Sequence, residues 1–262
     1  SADAVAAVNT ARAVAGLGPV VRVPELDAAA QAHVEYLVVN DPDALGRSSH
    51  TEVQGETGFT GAEPIDRAVA AGWRGTRLYE DISRSGDPER AVFSWLRTVY
   101  HRMPLLVPEV DGMGYAAVCN DDVRFDVALF SESGTVDAVG PVVWPTPGDD
   151  FVPGTWSGLE RPDPLPDVDA DVGYPISVQF ARGTGRITGL ELFDPAGEPV
   201  QTRFLSPETD PAQALDDEFA AVPLQPLEFD AEYTVRARGV DASGEFVREW
   251  SFTTRVKDKT PL

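Results

Sequence analysis

Val92, Trp95, Leu96 and Val99 recur at intervals of three and four residues, with Arg90, Ser94 and Arg97 between them. That spacing predicts a helix with one buried stripe and one wet face. Asp87 can accept the free N–H groups of a first helical turn, Pro88 suits the first helical position, and Glu89 complements the positive end of the dipole. The helix is therefore expected to start at Asp87. Pro104 disfavours helix for Met103, so it is expected to end near His101. Weaker helical patterns cover Ala2–Leu17 (Val5, Val8, Ala11), Leu26–Val39 (Leu26, Ala30, Val34, Leu37) and Pro64–Ala71 (Ile65 and Val69 inward). The run from Thr76 to Ser83, which includes Glu80, alternates poorly and reads as a short irregular element.

Beyond Gly112 period-two patterns dominate. Met113–Cys119 and Val123–Phe130 predict two strands joined by an Asn120-Asp121-Asp122 turn. From Val139 to Pro175 the chain is dense in Pro, Gly and Asp, yet Val142, Val143, Trp144, Phe151, Val152 and Trp156 make it too apolar for a disordered linker. It reads as a first strand followed by an ordered meander. Ile176–Phe180, Ile187–Phe193, Phe219–Leu224, Tyr233–Ala237 and Val247–Thr253 are short strand patterns between turn signals, the signature of a β-sandwich. The expected organisation is α+β: a helix-rich domain over residues 1–137, an all-β domain over 138–256 and a tail at 257–262.

Composition narrows the function. The net charge of −22 over 262 residues disfavours binding to nucleic acid or an anionic membrane. Residues 1–137 carry 21 acidic and 11 basic side chains and the remainder 22 and 10, so the acidity belongs to the whole surface and not to a tail. No apolar run approaches the roughly 20 residues of a membrane span, and the chain opens without a signal-like segment. It is either cytosolic or a mature form after signal removal. Cys119, the single cysteine, excludes an intramolecular disulfide and reads as a small buried hydrophobe.

The compact catalytic signatures are absent: no GxSxG, no HExxH, no GxxxxGK[ST] and no paired CxxC. Asp167, Asp169 and Asp171 imitate the start of a calcium loop, but Val172 and Val178 stand where glycine and a bidentate acid are needed, leaving a solvated acidic loop. His33, inside the second helix, reads as a partly buried packing residue. What remains is dispersed. His50 in the polar loop 46–62, Glu80 before the long helix and His101 at its end are two imidazoles and a carboxylate, which suit a divalent metal such as zinc or a general acid/base pair.

Asn9-Thr-Ala-Arg12, His50, Glu80-Asp81-Ile82, Trp95 with His101-Arg102, Leu105-Leu106 and Gly112-Met-Gly114 follow one another in the order found in the CAP superfamily of cysteine-rich secretory, antigen 5 and pathogenesis-related proteins. Over about residues 4–131 the chain resembles the bacterial SCP-like form of that family. The resemblance implies an α-β-α sandwich and a cleft lined by two histidines and two acids, which in some members binds zinc or another divalent ion. His50 and His101 match the two histidines, and Glu80 matches the acid of a Gly-Glu-Asn motif whose neighbours here are Tyr79 and Asp81. Thr98 stands at the position of the second acid. Tyr79 and Thr98 are accordingly expected to line the cleft.

The stretch from Pro226 to Val235, followed by Trp250-Ser-Phe-Thr-Thr254, resembles a bacterial Ig-like module of the spacer or adhesion kind. The resemblance as a whole implies a secreted or surface protein without general catalytic activity. His50, Glu80 and His101 are expected to bind a divalent metal, with a small apolar, lipid or cell-wall ligand as partner. A metal-dependent hydrolase with Glu80 as base is the competing expectation, and an adhesion protein with a vestigial cleft is the third.

Overall fold

A computed structural model describes residues 2–119, 123–132 and 140–256. The expected Asn120–Asp122 turn, the 137/138 boundary and the tail lie outside the described residues. The chain forms two compact units, one of Ser1–Leu96 with Glu109–Thr135, the other of Arg97–Pro108 with Val136–Leu262.

In the first unit, β3 (Val110–Cys119) and β4 (Arg124–Glu132) form the antiparallel pair that the alternation predicts. The short β1 (Val21–Arg22) runs parallel to β3, and β2 (Leu78–Ser83) pairs antiparallel with β4, giving the order β1-β3-β4-β2. The segment expected to be irregular is thus an edge strand. Its alternation is broken because its polar residues Glu80 and Asp81 are themselves enclosed.

Phe125, Val127 and Leu129 of β4 pack with Leu26, Ala30, Val34 and Leu37 of α2 (Pro24–Asn40) and with Ala68 of α3 (Pro64–Ala70). A strand's side chains alternate faces, so Ala128 and Phe130 point the other way, and both are fully buried as well. Both faces of the sheet are therefore covered. α1 (Ala2–Val14) and α4 (Pro88–Leu96) pack on each other and against β3 and β2 respectively. The unit is the α+β layered sandwich expected.

Two details fix its geometry. A Cβ on Gly114 would stand 2.2 Å from the backbone of Leu26, so only glycine lets α2 lie this close to β3; Asp27 of α2 accepts the N–H of Tyr115 at 2.9 Å. Asp87 Oδ1 accepts the N–H of Arg90 at 2.9 Å, the helix cap the sequence signals.

Three expectations need correction here. Helix α4 stops at Leu96, five residues before His101, and a new short helix α5 (Arg102–Leu106) contains Met103 and Pro104. Proline in a first turn removes an N–H that has no helical partner anyway, so Pro104 lies inside a helix start and does not end the preceding one. On α3, Ile65 and Val69 are exposed while Arg67 and Ala68 are buried, because the inward position is taken by an ion pair. Cys119, at the end of β3, is exposed.

The second unit is a two-sheet sandwich. β5 (Val142–Trp144), β6 (Ile176–Gln179), β9 (Glu218–Pro223) and β8 (Thr202–Leu205) form one sheet in that order, and β11 (Gly244–Thr253), β10 (Glu232–Asp241) and β7 (Gly185–Phe193) the other. Val178, Phe219 and Ala221 from the first sheet meet Leu192, Val235 and Phe252 from the second in the inner core. The opposite face of β9, Ala220 and Val222, is covered by Val99 and Met103 of the 97–108 strap together with Trp156, Leu165 and Leu215. Arg102 donates to the carbonyl of Pro175 at 2.8 Å, and Gln179 donates to that of Met103 at 3.1 Å, which ties the strap to β6.

Candidate functional site

The first unit holds a buried polar cluster built from α2, α3, β2 and the loop around His50. Glu80 Oε1 stands 3.0 Å from His50 Nδ1. Arg67 Nη2 donates to both Glu80 oxygens, at 2.9 and 2.7 Å, while its Nη1 donates to the carbonyls of His50 and Ala62, each at 3.2 Å. The guanidinium thus neutralises the acid and stitches down the loop that presents the histidine. The side chain of Glu80 is 1% exposed and that of Arg67 wholly buried, whereas His50 keeps 35% of its side-chain surface open. Only the histidine is reachable from outside.

Behind this pair lies a second one. His33 is fully buried, with Nδ1 2.8 Å from Glu52 Oε1 and Nε2 2.9 Å from the carbonyl of Ser49. A ring with hydrogen on both nitrogens satisfies both acceptors at once. Glu52 also accepts the N–H groups of Thr60 at 2.6 Å and Gly61 at 3.3 Å, and lies 3.8 Å from Arg67. His33 is therefore not a packing residue but the anchor of the His50 loop, since a buried ionic group is retained only when paired and hydrogen-bonded.

Burial alone would raise the pKa of Glu80. The hydrogen bond from His50 and the charges of Arg67 and His33 outweigh it and hold the acid below its ordinary value. Glu52 is lowered for the same reasons, with burial opposed by His33, the Thr60 N–H and Arg67. Both carboxylates are consequently ionised at neutral pH.

Of the residues singled out from sequence, His50 and Glu80 come together. Tyr79, next to Glu80 on β2, donates its hydroxyl to Glu132. His101 and Thr98 belong to the second unit, where His101 Nδ1 lies 2.7 Å from Glu160 Oε1. Among the described residues no three His, Cys, Asp or Glu side chains are grouped so as to hold a metal ion. Glu52, Arg67 and Glu160 had no local signature. An arginine in a helix reads as a surface residue, and Glu160 meets His101 across 59 positions of sequence.

Residues 5–131 match the model of CAP, the cysteine-rich secretory protein family, and the N-terminal half of this chain is a CAP domain. Among solved structures, the chain is similar to an outer surface protein from Borrelia burgdorferi, at 18% identity and a TM-score of 0.39, over 49% of this chain and 89% of that one. It is also similar to an extracellular SCP-domain protein from Bacillus anthracis, at 17% identity and a TM-score of 0.40, over 50% of this chain and 39% of that one. A third similarity is to CopC from Methylosinus trichosporium OB3b, at 13% identity and a TM-score of 0.28, over 47% of this chain and 97% of that one. No curated protein sequence matches the chain. No helix among the described residues is long and apolar enough to cross a membrane.

Proposed function

We propose that this chain is a secreted CAP-domain protein that binds a small polar or cell-wall ligand at His50 without turning it over, with the β-sandwich, read as Ig-like, acting as a spacer or adhesion unit. The observation that supports this reading is the engagement of Glu80. A general base needs a carboxylate oxygen facing its substrate. Glu80 instead has both oxygens on Arg67, one also on His50, a side chain 1% exposed and a depressed pKa. Those features disfavour the hydrolase reading.

They also bear on zinc. A structural or catalytic zinc takes at least three protein ligands, and Glu80, buried and committed to Arg67, does not fit as one of them. The metal expected from His50, Glu80 and His101 therefore plays no part in this reading. What the pair does supply is an oriented imidazole. With Nδ1–H on Glu80, the neutral ring of His50 turns the lone pair of Nε2 outward as a hydrogen-bond acceptor. Secretion is supported by the family's description as secretory.

The test is a titration of the full chain with soluble peptidoglycan fragments, which are rich in hydroxyl and amide donors, followed through the backbone amide signals of the His50 loop. Saturable shifts lost in His50→Ala, with the fragments recovered intact, support the reading. Cleaved fragments would establish a hydrolase instead. Micromolar zinc binding by calorimetry that disappears in His50→Ala would restore the metal.

A further inference from the structure

The second unit contains a histidine–carboxylate pair of its own. Glu160 lies in the Pro- and Gly-rich stretch after β5, with its side chain completely buried. Four donors converge on it. Its Oε2 accepts the N–H of Val99 at 2.7 Å, and its Oε1 accepts the N–H groups of Tyr100 and His101 at 2.8 and 2.9 Å, with His101 Nδ1 at 2.7 Å. Backbone N–H groups can only donate, so the acid accepts throughout and Nδ1 must bring the fourth hydrogen. The His101 side chain is 16% exposed, which leaves the ring, and not the acid, in reach of a solute.

We propose that Glu160 is the positioning residue of His101. It holds the neutral imidazole with its hydrogen on Nδ1, so that Nε2 carries the lone pair and serves as acceptor for a hydroxyl or amide hydrogen of a bound ligand. The neighbouring strap is fixed from both sides. Tyr100 donates its hydroxyl to Asp210, and Arg102 donates to the Pro175 carbonyl. The ring's orientation is thereby set by residues of the second unit, and Glu160 lies outside the family-matched residues 5–131. The pair shares no residue with His50 and Glu80, so it stands or falls separately from the binding reading above.

The full chain has only three histidines, which makes the test direct. Long-range proton–nitrogen spectra of the histidine-labelled protein, taken above the ordinary imidazole pKa of about 6.5, report which nitrogen of each ring is protonated. The expected result is a single His101 tautomer with hydrogen on Nδ1. In Glu160→Leu, which leaves Nδ1 no side-chain acceptor, that signal is lost in favour of the Nε2–H form, while His33 and His50 keep their wild-type positions as a check on folding. A wild-type His101 with hydrogen on Nε2, or on both nitrogens, overturns the proposal even if the variant fails to fold. An unchanged tautomer in a folded Glu160→Leu protein overturns it as well, whereas a purely structural Glu160 would alter stability and leave the tautomer alone.

Discussion

Each unit places an imidazole against a buried glutamate, but the two glutamates are stabilised by different means. Glu80 is matched by a counter-charge, the guanidinium of Arg67, which also grips the carbonyls of the His50 loop. Glu160 is matched by three backbone N–H groups of a strap whose position depends on the sheet beneath it. A counter-charge concentrates the stabilisation in one side chain. Backbone amides spread it over a segment and tie it to folding of that segment.

The difference is easiest to break at Arg67. Arg67→Ala leaves Glu80 and Glu52 buried without their shared cation, and loss of one partner of a buried ion pair costs about 3–5 kcal/mol. Chemical denaturation of the variant should show that loss together with release of the His50 loop. A wild-type midpoint would mean that the cluster is hydrated. Glu160→Gln should cost less, because the amide can still accept at its one oxygen while its NH2 group faces a donor where the second oxygen stood. Forfeiting one or two net hydrogen bonds amounts to about 1–3 kcal/mol.

Acid sharpens the contrast. The folded pKa values of Glu80 and Glu52 lie below the ordinary 4.5, so their contribution is fully present above that value and is lost as pH falls through the depressed folded values. Thermal melts of the wild type should therefore drop steeply below pH 4.5, and those of Glu80→Gln, already destabilised, less steeply. The smallest effect is expected away from both clusters. Asp87→Ala removes the α4 cap bond and should cost about 1 kcal/mol without moving either histidine's signals.

How far the sequence carried these features depends on their range. Alternation in β4 and the Asp87-Pro88-Glu89 start are local patterns, and both are present where expected. Likewise the His50 and Glu80 positions were legible because a motif marks them. β2 was not, because its Glu80 and Asp81 are buried for polar reasons that hydropathy counts as exposure. Arg67 and Glu160 were not legible either, since each acquires its role from a partner 13 or 59 residues away. His101 was expected to end a helix. Glu160 instead takes up the N–H groups of Val99, Tyr100 and His101.

The strap from Arg97 to Pro108 has a practical consequence. It lies inside the family-matched stretch 5–131, yet Val99 and Met103 are covered by Leu205, Leu215, Ala220 and Val222, all beyond residue 131. A fragment cut at the family's edge would carry those side chains bare into water, with an orphaned run of amides beside them. Such a fragment should self-associate, so the smallest soluble piece bearing His101 extends well into the β-sandwich.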